Sequence, residues 1–317
     1  MAFGARLALL MGLNVLSVVG VVALNKYLWS KDSFHFIILL TFTHYFFSSL
    51  GTRVLLYLGV FTYKPVPFGY TVRLALGALC SVGFMNLNLT SNSVGFYQLS
   101  KLTCIPVTLL IERCWHGKVA PRLVKLSLVP LLFGACLATV YDVSVNFTGT
   151  VYAACGILAT VYSQIISSRY YGELECNALQ LLYHVAPLVS FGMILLVPVF
   201  DDMEGLAKYD WPLAARLRVS ASCVMALSVQ MTNFFVLGKT CPLTYQVLGH
   251  LKTMFILMLG FTIFGNPIDG RNILGIVIAL VGVIMYTEVK RRGGGKVVPP
   301  SPSKSREEQR LKTLSAV

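Results

Sequence analysis

Charge is scarce in this sequence, and negative charge is scarcest. Of 317 residues only 12% are charged, and Asp plus Glu number 13 against 26 Lys plus Arg. A soluble domain carries about 25% charge. The deficit, set against 56% hydrophobic residues, excludes an ordinary soluble fold and points to a multi-pass membrane protein. Other absences exclude chemistry. There is no Walker A glycine loop, which removes ATP-driven pumping. There is no HExxH or GxSxG, and no set of acid, base and nucleophile that would make an enzyme. The eight cysteines contain no CxxC pair and no Cys/His spacing suited to zinc, so they read as small apolar packing residues. No metal site and no cofactor are expected.

What is present is apolar length. Ten spans stand out, near 6–28, 34–58, 69–89, 93–111, 122–141, 147–169, 178–199, 216–238, 241–264 and 271–290. Each is long enough to cross a hydrocarbon core about 30 Å thick. The first is too long for a signal-peptide core. The expected fold is an all-α membrane protein. The stretch "DDMEGLAKYD" at 201–210 reads as a solvated loop.

The basic residues sort by side. With a cytosolic N-terminus, Arg53, Lys64, Arg73, Arg113, Lys118, Arg122, Lys125, Arg169 and Lys239 fall on the cytosolic face. Only Lys31, Lys208, Arg216, Arg218 and Arg271 fall opposite. This obeys the positive-inside rule and places both termini in the cytosol. It also accounts for the net charge of +13 without a nucleic-acid partner. The tail, 291–317, is rich in Gly, Pro, Ser and charge, and reads as disordered. Its basic start either meets anionic membrane lipid or serves only to set topology. The sequons at Asn88 and Asn146 hug the expected lumenal face, too close to the membrane for modification to be expected.

Two cations do not sort. Lys101 and Lys252 stand inside spans, about 12–16 Å deep by helical rise, and no acidic residue is comparably deep. A lysine at that level costs about 2.5–3.5 kcal/mol on insertion scales. Snorkelling, internal hydrogen bonding and an anion bound in a wet cavity are the three ways to offset it, and anion binding is favoured. Two point charges suit a doubly charged phosphate or a pyrophosphate. Helical spacing sets Tyr97, Lys101, Cys104 and Thr108 on one face. It likewise groups Tyr245, Gly249 and Lys252, with Gln246 and Thr253 beside them. Tyr and Gln can hydrogen-bond a sugar or base, and Gly249 leaves room for a ligand. A weaker polar stripe on the first span, Asn14, Ser17 and Asn25, serves either a ligand or helix packing. "FYQLSK" at 96–101 and "TYQVLGHLK" at 244–252 form an internal repeat on spans of opposite direction. The expected plan is therefore two inverted five-helix repeats, 1–145 and 146–290.

These residues carry a resemblance. "LNKYLW" at 24–29, "TSNSVGFYQLSK" at 90–101, "YDVSVNFTG" at 141–149, "NALQLLYHVAP" at 177–187, "CPLTYQVLGHLKT" at 241–253 and "NILGIVIALVGVIMYT" at 272–287 are similar to motifs of the nucleotide-sugar transporters. These belong to the drug/metabolite transporter superfamily, and the likeness is to their triose-phosphate-translocator-like branch. Lys252-Thr253 resembles the Lys-Thr pair that names a group including UDP-xylose and UDP-rhamnose/UDP-galactose carriers. The resemblance implies ten helices in inverted repeats. It implies antiport of a nucleotide sugar, most readily a UDP-sugar, against nucleoside monophosphate in the Golgi or endoplasmic reticulum membrane. It implies that Lys101 and Lys252 contact phosphate, that Thr253 is the motif threonine, and that Tyr97, Tyr245 and Gln246 line the pocket. A homodimer is compatible with it. Two alternatives stay open at this point, an exchanger of a phosphorylated metabolite for phosphate and a non-transporting membrane scaffold.

Overall fold

The computed structural model describes residues 2–140, 146–262 and 269–294, with side chains for all of these but 2–8, 94, 116, 259–262 and 293–294. Described residues form helices and connections, with no strand among them. The helices are α1 (Ala2–Lys31), α2 (Ile37–Tyr57), α3 (Phe68–Ser91), α4 (Val94–His116), α5 (Arg122–Thr139), α6 (Phe147–Leu174), α7 (Ala178–Phe200), α8 (Met203–Lys208), α9 (Leu213–Lys239), α10 (Pro242–Thr262) and α11 (Gly270–Val289). All but α8 coincide with an expected span to within a few residues. Seven of them, α1, α3, α5, α6, α7, α9 and α11, are long and apolar enough to cross a membrane, judged by the length and composition of the described residues. In α2 and α4 polar side chains dilute the run: Thr41, Thr43, His44, Ser48, Ser49, Thr52 and Arg53 in one, Lys101, Thr103, Glu112 and Arg113 in the other.

Two expectations change. The acidic stretch at 201–210 is not all loop, because Met203–Lys208 is a helical turn and a half. Asp202 caps it by accepting from the Glu204 amide at 3.1 Å. Glu204 at its start and Lys208 at its end both favour the helix dipole. The chain also continues past 290 into a π-helical turn, Lys290–Gly294. Residues 295–317, where most of the expected tail lies, fall outside the described residues, as do 141–145 and 263–268.

The chain divides into two compact units. The first holds 1–104 and 140–268, and the second 105–139 and 269–317. In the first, α1 packs on α9, α2 on α7 and α9, α3 on α6 and α7, and α10 on α1, α6 and α9. Its core joins Ile38, Leu74, Ile166, Leu181, Val185, Val189, Met193 and Val197. Small residues permit the close approaches. A Cβ on Gly77 would press on Ser163 at 3.1 Å, and one on Gly156 would press on Met85 at 3.2 Å.

Buried backbone ends are satisfied across helices rather than locally. Phe36 offers α2 no side-chain cap. Asp201, beyond the end of α7, supplies it by accepting from the Ile38 and Leu39 amides at 3.1 and 2.7 Å. At the other end of the unit the connector before α3 is tied to the α6–α7 corner. Gln180 donates to the Thr62 carbonyl at 2.8 Å, and His184 meets the Lys64 carbonyl at 2.9 Å. Asn177 and Gln180 complete a capping box on α7. The "NALQLLYHVAP" motif is thus largely architectural. Of the two sequons, Asn88 is fully buried in α3, and Asn146 is exposed and caps α6 through its side chain.

In the second unit α5 packs against α11. Gly134, Gly275 and Gly282 make this contact close enough that a Cβ on any of them would run into backbone, at Ala279, Ala138 and Leu131 respectively. This is small-residue packing of the kind that lets membrane helices touch without a hydrophobic driving force.

Candidate functional site

The first unit contains a cavity of about 210 Å³ lined from α2, α3, α6, α7, α9 and α10. Its lining is mixed but uncharged. Ser81 and Thr160 share a hydrogen bond across α3 and α6, and Ser163, Gln164 and Ser167 continue the α6 side. Gln230 and Asn233 enter from α9, Tyr45 from α2 and Tyr245 from α10. The Tyr45 hydroxyl is hydrogen-bonded to Gln230. Thr160, Ser163, Gln164 and Ser167 stand at i, i+3, i+4 and i+7, so one face of α6 delivers them together.

Lys252 is the charge attached to this cavity. It is only 7% exposed. Its Nζ donates to Asn233 Oδ1 at 3.4 Å and stands 5.2 Å from the centre of the Tyr245 ring. Both Tyr245 and Asn233 line the cavity. Two turns of α10 separate Tyr245 from Lys252, which is why the same face presents both. Among the described residues Lys252 forms no ion pair. An amide oxygen and an aromatic face therefore support a buried ammonium, and both are weaker partners than a carboxylate or phosphate.

Asn14 reaches the same point from α1. It is fully buried, and its Nδ2 donates to Thr232 Oγ1 at 2.8 Å and to Asn233 Oδ1 at 2.9 Å. One oxygen of Asn233 thus accepts from Asn14 and Lys252 together. The rest of the α1 stripe packs helices. Ser17 pairs with Ser228 at 2.7 Å, and Ser222 donates to Asn25 at 2.7 Å while meeting His44 at 2.8 Å. Every member of the stripe thus hydrogen-bonds to α9, and Asn14 alone does so through a residue that lines the cavity.

The other expected residues are placed as follows. Gln246 is buried and donates to Gln164 Oε1 at 2.9 Å, one step from the cavity. Gly249 lies between Tyr245 and Lys252 with no atom within 4 Å of where a Cβ would stand. Thr253 turns its hydroxyl back to the Gly249 carbonyl at 3.2 Å. On α4, Lys101 is exposed and folds over its own helix, with Nζ 4.2 Å from the Tyr97 ring centre. Cys104 and Thr108 are buried, so the α4 face passes from open at Lys101 to packed beyond it. Of the expected site residues only Tyr245 lines this cavity; Lys252, Asn14 and Gln246 reach it through Asn233 or Gln164, and Tyr97, Lys101, Gly249 and Thr253 stand outside its lining.

Residues that the sequence reading missed are Tyr45, Gln164, Gln230 and Asn233. The polar stripe on α6 was visible as helical spacing. Asn233 was not, because its importance comes from two partners 219 and 19 positions away. Among the described residues no cluster of His, Cys, Asp and Glu could hold a metal ion.

Comparison with known proteins now fits the site into a family. The pattern of the Triose-phosphate Transporter family matches residues 5–287. UDP-xylose transporter 3 of Arabidopsis thaliana is 35% identical over 282 residues, covering 87% of this chain and 78% of the relative. UDP-rhamnose/UDP-galactose transporter 2 of Arabidopsis thaliana is 32% identical over 295 residues, covering 90% and 85%. A solved crystal structure superposes with a TM-score of 0.70 at 13% identity, over 91% of this chain and 99% of its own. That likeness concerns the fold alone. Matched over nearly all of its apolar length, the chain belongs to the Triose-phosphate Transporter family of membrane transporters.

Proposed function

We propose that this protein exchanges a cytosolic nucleotide sugar for a lumenal nucleoside monophosphate across the Golgi or endoplasmic reticulum membrane. The observation that carries the reading is Lys252, a buried ammonium beside a cavity of hydroxyls, amides and tyrosines. The cation supplies a phosphate contact. The neutral lining supplies donors and acceptors for a sugar or a base, and Tyr45 and Tyr245 supply aromatic faces. Lys101 is the second phosphate contact in this account. The relatives' names favour a UDP-sugar.

The architecture behind the proposal is ten membrane helices in two inverted repeats, 1–145 and 146–290, with both termini cytosolic. It is supported by the pairing of helices. Exchanging α1–α5 for α6, α7, α9, α10 and α11 in order turns the α1/α9 contact into the α3/α6 contact and the reverse. The same exchange leaves α2/α7 and α5/α11 unchanged. The correspondents left over are α4 and α10, which carry Lys101 and Lys252. Inverted repeats of this kind rock about a site near the bilayer midplane. A carrier crossing with neither substrate would move Lys252 with only an amide and a ring beside it. Crossing with a phosphate is easier, which favours obligatory exchange.

The test is a panel in proteoliposomes loaded with UMP, GMP, CMP or inorganic phosphate and offered labelled nucleotide sugars. Exchange that depends on UMP and takes UDP-sugars supports the proposal. Exchange that runs on inorganic phosphate and a phosphorylated metabolite would replace it with the other reading, which the family's name favours. Folded protein that exchanges nothing would leave a scaffold.

A further inference from the structure

The second unit has a groove that shares no lining residue with the cavity of the first. It measures about 210 Å³ and is lined by Pro106, Leu109, Leu110 and Arg113 of α4, by Lys118, Val119 and Ala120 of the connector, and by Lys125 of α5. Three of its lining residues are cations and none is acidic. All three are exposed, and none forms an ion pair among the described residues. Glu112 is the nearby acid, close enough to attract Lys118 and Lys290.

The connector is built to bring the cations together. Gly117 adopts φ +62°, a conformation that favours glycine. The Lys118 amide then donates back to the Glu112 carbonyl at 3.0 Å, which folds Lys118 towards the end of α4. The first turn of α5 holds no acidic residue, so its amides and its dipole add to the positive field.

The wall below the cations is apolar. Leu110 is 59% exposed, Val119 is 52% exposed, and Pro106 is open as well. Pro106 lies about 10 Å along the helix from Arg113. Trp115, 73% exposed, sits at the same helix end, where aromatic side chains mark the membrane interface. A soluble anion would cover the cations and leave this wall bare. A lipid covers both, because its headgroup meets the cations and its chain runs along the wall. Basic pockets at helix ends on the cytosolic side bind such headgroups.

We infer that this groove is a binding site for an anionic phospholipid. Three cations against one nearby acid suit a headgroup bearing more than one negative charge, such as a phosphomonoester. Its lining has no residue in common with that of the first unit's cavity, so its ligand need not be the transported substrate.

The experiment uses the full-length protein in a neutral detergent. Melting temperature and native mass spectra are recorded with a short-chain phosphatidylinositol monophosphate, with phosphatidylcholine of equal chain length, and with the inositol phosphate headgroup alone. The phosphoinositide should raise the melting temperature by several degrees and appear as a bound adduct, while the other two should do neither. Arg113→Gln/Lys118→Gln/Lys125→Gln should lose both signals. Val119→Trp, which fills the groove and keeps its charge, should lose them too, and so guards against misfolding of the triple variant. Lys252→Ala should retain them, separating this site from nucleotide binding. An equal shift from the headgroup alone would make the groove a soluble-anion site and overturn the lipid assignment. No shift in the wild type, or an undiminished shift in folded triple variant and Val119→Trp, would remove the site altogether.

Discussion

Asn233 Oδ1 accepts from Lys252 at 3.4 Å and from Asn14 at 2.9 Å, so an amide on α9 holds both the buried cation of α10 and the polar end of α1. A neutral acceptor stabilises the ammonium without neutralising it. In the proposed exchange, Lys252 gives up Asn233 for a phosphate.

Replacing this amide by a carboxylate changes the balance. At about 4 Å and an effective dielectric near 20, a fixed charge pair is worth about 4 kcal/mol. Asn233→Asp should therefore compete with the substrate's phosphate and weaken nucleotide-sugar affinity at least about tenfold, since about 1.4 kcal/mol corresponds to that factor. It should also raise uptake into liposomes that contain no nucleotide, because the neutralised pair crosses unaided. Equilibrium binding and unloaded-vesicle uptake check the two parts. Wild-type affinity with wild-type dependence on internal nucleotide would show that Asn233 does not govern Lys252.

On α4 the ring of Tyr97 lies beneath Lys101 at 4.2 Å. An exposed cation–π contact is worth about 0.5–1 kcal/mol. Tyr97→Phe keeps the ring and should leave uptake near wild type. Tyr97→Ala should weaken it about two- to fivefold, and Lys101→Ala should weaken it further. Comparing initial uptake rates of the three variants decides whether the ring or the hydroxyl matters.

Gly249 faces open space between Tyr245 and Lys252. Gly249→Ala should be accepted with little change in either stability or transport. Gly249→Trp should leave the melting temperature within a few degrees of wild type, because no atom stands in its path at the Cβ, yet block uptake. Loss of folding in the tryptophan variant would show that the open space is needed for packing rather than for a ligand.

The α5–α11 contact makes the opposite prediction. Gly134→Leu or Gly282→Leu places a side chain where the partner's backbone runs. Overpacking costs of about 1–3 kcal/mol assume that neighbours can shift, and here the neighbour is main chain. Both variants should melt well below wild type or fail to purify as a single species. Thermal denaturation followed by size-exclusion chromatography measures this.

The helices and the buried Lys252 were legible in the sequence for a simple reason, whereas Lys101, expected to be as deep, is exposed. In a chain with so little charge, apolar length and an uncompensated cation are strong signals. The face shared by Tyr245, Gly249 and Lys252 followed from spacing alone. The α1 stripe could be read but not resolved, because Asn14 and Asn25 are alike in sequence and differ only in what α9 sets opposite them, Asn233 in one case and Ser222 in the other. The role of Asn233 depends on which helices pair, and periodicity within a helix does not contain that information. The helix at Met203–Lys208 was hidden for another reason, since it is stabilised by a cap and end charges rather than by an apolar face. Arg113, Lys118 and Lys125 line one groove, but in a sequence three cations look alike whether scattered or gathered.

The central claim is that a buried Lys252 anchors the phosphate of a nucleotide sugar during exchange. The most direct measurement is uptake of labelled UDP-sugar into proteoliposomes with and without internal UMP, for wild type, Lys252→Arg and Lys252→Ala of equal thermal stability. The account predicts strong stimulation by internal UMP in the wild type, reduced stimulation in the arginine variant, and none in the alanine variant. UMP-stimulated uptake that survives Lys252→Ala at the wild-type rate would contradict it.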